Sequence, residues 1–108
     1  MEITPERLAA CKQYMMIDHD EDDGLIPLIL GGVDAYLEGA GVIRDVSPNL
    51  YDLVSFAMTL PLYEVRGAML PQDVADLPAI RRMLVQMKLR AAYGGAAGGE
   101  NDIASRNP

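Results

Sequence analysis

A chain of 108 residues, half of them apolar, has room for one domain and one core, which excludes a wholly disordered polypeptide. Its 9 Lys and Arg against 16 Asp and Glu give a net charge of −7, which makes it a poor general nucleic-acid binder, because phosphate contacts need Lys and Arg. With no Trp and a single Phe, the core must be filled by Leu, Ile, Val, Met and Ala, so the composition favours an all-α fold over a β-sandwich.

The segment Met1–Glu6 lacks the basic and apolar regions of a signal peptide. No apolar run approaches the roughly 18 residues needed to span a bilayer, so the reading places synthesis in the cytoplasm with no membrane partner. Thr4-Pro5-Glu6 is a helix start, with Thr4 as cap and Pro5 at the first helical position, where its missing N–H is not needed. Leu8, Cys11 and Met15 then recur at helical spacing, predicting a first helix over about residues 5–15. Cys11, the single cysteine, has no partner for an internal disulfide. Core packing is favoured over nucleophilic catalysis, because a reactive thiol needs a base and an electropositive setting.

Next comes an acidic stretch, Asp18-His19-Asp20-Glu21-Asp22-Asp23. Asp18, Asp20 and Asp22 alternate as in a calcium loop. Counted from Asp18, however, the sixth and twelfth positions hold Asp23 and Ile29, where such a loop needs Gly and a bidentate Glu. His19 is the only histidine and has no second His or nearby Cys to complete a zinc set. No metal or cofactor is therefore expected. The stretch is read instead as a solvated charged turn that starts the second helix, with Asp20 as cap and Asp23 three positions on. That helix continues through Leu25, Ile26, Ile29, Val33, Tyr36 and Leu37 to Gly39-Ala40-Gly41. Pro27 would kink it, and Gly31-Gly32 costs roughly 1 kcal/mol per glycine relative to Ala, which suggests close approach of another backbone.

Ser47-Pro48 opens a third helix with a wide apolar face, Leu50 to Leu62, which Pro61 should bend and Gly67 should end. Residues 68–73 read as a loop. A fourth helix starts near Asp76 or Leu77, with Ile80, Met83, Leu84 and Met87 on one face and Arg81, Arg82, Lys88 and Arg90 on the rest. A solvated face or protein contact is favoured over nucleic-acid readout for these cations. From Gly94 the sequence Gly-Gly-Ala-Ala-Gly-Gly and its polar end predict a flexible tail, so the domain is placed at residues 1–93 and the tail at 94–108. Charge is segregated: residues 1–45 carry −7, residues 46–93 carry +1 and residues 94–108 carry −1. Such a separation suits contact between unlike faces of identical subunits. It points to Asp18, Asp20, Asp22 and Asp23 of one subunit facing Arg81, Arg82, Lys88 or Arg90 of the next, weighed against two solvated faces.

The order of these features resembles the small phage head-tail connector family. Tyr14-Met15-Met16-Ile17-Asp18-His19-Asp20-Glu21-Asp22-Asp23 with Leu25-Ile26 is similar to its "IDHD-E-DD" turn and "LI" helix start. Tyr63-Glu64-Val65-Arg66 is similar to its "YE-x-R" end of the third helix. Leu77-Pro78-Ala79-Ile80 with Met83-Leu84 is similar to its last helix. The resemblance covers roughly residues 4–90, and the chain departs from it at Pro27, Gly31-Gly32 and Pro61. It implies a non-enzymatic virion protein of the head–tail junction, forming a ring with the portal's twelve-fold symmetry. Its partners would be other copies of itself, the portal protein and a tail-completion protein, with DNA passing through unbound. The competing expectation is a small cytoplasmic helical adaptor or regulator. An enzyme is disfavoured, because no acid–base or nucleophilic set is assembled.

Overall fold

The computed structural model describes residues 3–92, so the glycine-rich tail expected from Gly94 lies outside the described residues. The protein is all-α. Its elements are α1 (Pro5–Tyr14), α2 (Leu25–Gly39), a 3-10 turn (Arg44–Val46), α3 (Pro48–Val65), α4 (Pro71–Ala75) and α5 (Pro78–Ala92). Among the described residues there is no strand.

α1 begins as its sequence dictates: the Thr4 hydroxyl accepts the Arg7 N–H at 3.1 Å, and Pro5 is the first helical residue. It ends on Met16 in the left-handed region (φ 62°), where Met16 N–H donates to Gln13 and Ile17 N–H to Lys12. This is the terminator usually built on glycine. α2 ends in the same way but with the expected residue: Gly41 (φ 86°) lets Val42 N–H reach the Leu37 carbonyl at 2.9 Å.

α2 starts four or five residues later than the capping pattern suggested. Asp20 does not cap it; the helix begins at Leu25, with the Asp22 carbonyl accepting from Leu25 and Ile26 N–H. Partners elsewhere in the chain hold the Asp20, Asp22 and Asp23 side chains, as described below, and none of them caps α2. The late start also removes the difficulty at Pro27. Pro27 is the third residue of the helix, within the first turn, where an N–H has no intrahelical acceptor, so the N–H that proline lacks costs the helix no bond. The segment read as a loop at 68–73 contains the start of α4. Leu70 N–H donates to Asp73 Oδ2 at 2.9 Å and Pro71 takes the first helical position, a start signal too short in reach to show as periodicity.

α2 and α3 form the central pair, burying Ile26, Leu30, Val33 and Leu37 against Val54, Phe56, Met58 and Leu62. The wide apolar face of α3 is covered on two sides. Phe56 joins Cys11 and Met15 of the α1 segment and Ile26 and Leu30 of α2 in one cluster. Tyr51, Val54, Met58 and Leu62 join Val33, Leu37, Val42, Val74, Ile80, Leu84 and Met87 in the other. α1 and α5 thus pack on different parts of the α2–α3 pair. α3 continues through Pro61 to Val65, and Gly67 (φ 87°) follows its end. Gly31 and Gly32 meet no backbone of their own chain: a Cβ at either would find nothing within 4 Å.

Candidate interaction surfaces

The acidic turn is held from two sides. From α1, the Lys12 ammonium lies 2.8 Å from Asp20 Oδ1 and 2.8 Å from Asp23 Oδ1. These bonds raise the Lys12 pKa and lower that of Asp20. From the end of α3, the Tyr63 hydroxyl donates to Asp22 Oδ2, and Arg66 Nη2 lies 3.2 Å from the same oxygen. Arg66 also sits over the Tyr63 ring, 4.8 Å from its centroid. The bond to Asp22, with some desolvation, raises the Tyr63 pKa. Asp18 is exposed. His19 Nδ1 lies 3.9 Å from Glu21 and accepts the Glu21 N–H.

The cations of α5 are placed elsewhere. Ile80, Leu84 and Met87 turn inward, while Arg81, Arg82, Lys88 and Arg90 are exposed. Among the described residues none of the four has an ion pair, and none is brought to the acidic turn of its own chain.

An apolar groove of about 370 Å³ runs beside the turn. One wall is the α2 stripe Leu25, Leu28, Ile29 and Gly32, at helical spacing; Leu62, Arg66, Met69 and Pro71 supply the other. Leu28 is 74% exposed on its rim, a large apolar side chain left uncovered by the fold.

Sequence reasoning missed a buried polar bridge joining α1, α2, α3 and the 3-10 turn. Arg7, 8% exposed, reaches Asp34, 2% exposed, with Nη1 on Oδ2 and Nη2 on Oδ1 at 3.0 Å. Its Nε donates to Asp52 Oδ1 at 3.0 Å. Asp34 also accepts from the Tyr51 hydroxyl at 3.1 Å, and Arg44 makes two bonds to Asp52, at 3.1 and 2.8 Å. The Arg7 guanidinium lies over the Tyr51 and Phe56 rings at 5.6 and 5.8 Å. Burial pulls the Arg7 pKa down, but Asp34 and then Asp52 outweigh it and raise the value. Burial pushes Asp52 up, yet the bonds and charges of Arg44 and Arg7 leave its pKa lowered. Tyr51 is raised by burial first and by Asp34 second. Among the described residues the bridge sets two cations against two carboxylates. A sequence signal existed: Asp34 stands on the same helical stripe as Leu30 and Leu37, and Arg7 on that of Cys11 and Met15, where a charge must find a buried partner.

Cys11 is fully buried, and burial pushes its thiol up to about 11, so it is protonated near neutral pH. Among the described residues no cluster of His, Cys, Asp and Glu could hold a metal, and no helix is long and apolar enough to cross a membrane.

No protein-family model, curated protein or solved structure matches the chain.

Proposed function

We propose that this chain is a structural head-tail connector of a tailed phage or prophage. In this reading it forms a ring beneath the portal, extends the channel through which DNA passes, and docks tail-completion proteins. It is made in the host cytoplasm and then resides in the virion at the head–tail junction. It has no catalytic role, in keeping with a thiol that is buried and protonated.

One observation carries the reading. Two of the three motifs behind the family resemblance lie about 40 residues apart in sequence and meet in one contact. Asp22 of the acidic turn takes the hydroxyl of Tyr63 and the guanidinium of Arg66, both from the segment Tyr63-Glu64-Val65-Arg66. Residues that belong to one clasp are expected to occur together in a sequence, so the joint presence of the two motifs carries more weight than either alone. An acidic channel wall would also pass DNA without gripping it, since like charges repel. The exposed apolar groove favours a protein-binding role in general, and so supports the second reading, a cytoplasmic helical adaptor or regulator.

Native mass spectrometry of the purified protein, alone and mixed with the portal protein of the same genome, separates the two. A closed ring or a stoichiometric portal complex is expected. A species that stays monomeric or dimeric and ignores the portal would reject the connector and favour the adaptor.

A further inference from the structure

We infer that the apolar groove of one copy receives the outward face of α5 from a second copy, in a head-to-tail contact. The inference deepens the ring reading and rests on it for closure, but the pairwise contact is testable alone.

The two surfaces match in chemistry. Ile80, Leu84 and Met87 point α5 into its own core, so helical spacing places Pro78, Val85 and Leu89 on the opposite side. Val85 is 52% and Leu89 54% exposed. This outward strip is flanked by Arg81 and Arg82, which have no ion pair among the described residues. The receiving groove presents Leu25, Leu28, Ile29 and Met69, and at Gly32 it has open space where any other residue would place a side chain. A helix is the shape that a groove between an α2 stripe and the end of α3 accepts, with apolar residues at i, i+4 spacing as anchors.

Charge points the same way. α5 carries four cations and no acid, leaving −11 on the rest of a chain whose total is −7. The acidic turn leads directly into Leu25 at one end of the groove, and Arg66 on the rim is already paired with Asp22. Asp20 and Asp23 are shared with Lys12, and Asp22 with Arg66, so their part in a contact between copies is long-range attraction rather than new close pairs. The apolar strip therefore supplies the close contact and the cations flanking it supply orientation.

Both surfaces sit on one chain but do not overlap, so the contact is heterologous: each copy offers one groove and one helix, and copies chain until the rotation closes. A single such contact is weak, and many in a closed ring reinforce one another.

The test uses two full-length variants that leave the fold alone. Gly32→Leu fills the groove at a position with nothing within 4 Å. Val85→Glu with Leu89→Glu charges the exposed strip of α5. Sedimentation velocity over a concentration series should show the wild type growing past dimer and each variant associating at least about tenfold more weakly. Mixing the two variants should restore a one-to-one pair that grows no further, because only one intact groove and one intact helix remain between them. Unchanged association in either variant, no pairing in the mixture, or a wild type that stays monomeric at every concentration overturns the contact. If Gly32→Leu loses portal binding while its self-association is intact, the groove belongs to the portal and the inference fails. A wild type and a Gly32→Leu variant that self-associate equally and both join the portal would remove this contact and leave the connector reading standing.

Discussion

Asp34 is the residue at which α1, α2 and α3 meet in the buried bridge, and its surroundings decide what a substitution there does. Its carboxylate holds the buried Arg7 on one side and the Tyr51 hydroxyl on the other. Removing it leaves a guanidinium that is 8% exposed with Asp52 as its remaining carboxylate among the described residues. Breaking such a buried pair from one side costs about 3 kcal/mol, because the buried guanidinium loses its two-bonded carboxylate partner where water does not replace it. Asp34→Leu should therefore lower unfolding free energy in urea by about that amount. Arg7→Leu combined with Asp34→Leu should be the more stable of the two, since it also removes the buried charge that lost this partner. A double variant no more stable than the single one would mean that the two side chains are not coupled as their geometry indicates. Ser55 and Thr59 show the milder way to bury a polar group: each hydroxyl donates to the carbonyl four residues earlier, at 2.8 and 2.7 Å.

At the scale of elements, helix ends and interior glycines separate what stabilises the chain from what serves its surroundings. Met16 occupies a left-handed position at the end of α1 that an L side chain adopts at a cost, while Gly41 does the same at the end of α2 without one. Gly31 and Gly32 have the opposite character. Their backbone is helical, a Cβ would touch nothing, and nothing inside the chain requires glycine. Gly31→Ala should raise the stability of the isolated chain by about 1 kcal/mol, read as a higher melting temperature by circular dichroism. An unchanged or lower melting temperature would show that the helix gains nothing from a better helix former at this site. In the contact proposed above, the open space at Gly32, which lines the groove, is where the second copy's helix would lie.

For the whole molecule, acid is the informative stress. The folded pKa of Asp52 is lowered, so the unfolded chain takes up its proton first as pH falls. Its stabilisation is present above the unfolded value, about 3.9, and is lost as pH drops through the lower folded value. Urea midpoints should hold steady down to about pH 4 and then fall. Asp52→Asn should be less stable than the wild type at neutral pH and show a shallower acid limb. An equally steep limb in that variant would place the acid sensitivity in other carboxylates. The same bridge ties α1 to the α2–α3 pair, so loss of Asp52 is expected to loosen α1 as well as the 3-10 turn.

How much of this was legible without coordinates differs by kind of information. The all-α class, the extent of α1 and the starts of α1 and α3 at Thr4-Pro5 and Ser47-Pro48 were readable, because apolar period and a proline at the first helical position act within a few residues. The burial of Cys11 followed from its place on the α1 stripe. Tertiary structure alone decided where α2 begins, since Lys12 holds Asp20 and Asp23, the carboxylates that a local pattern assigned to capping. It alone brought Arg7 to Asp34 across 27 residues and Asp22 to Tyr63 across 41. Periodicity shows which side of a helix is buried but not which other helix lies against it. Charge pairing over such separations depends on that packing, and only the folded chain supplies it.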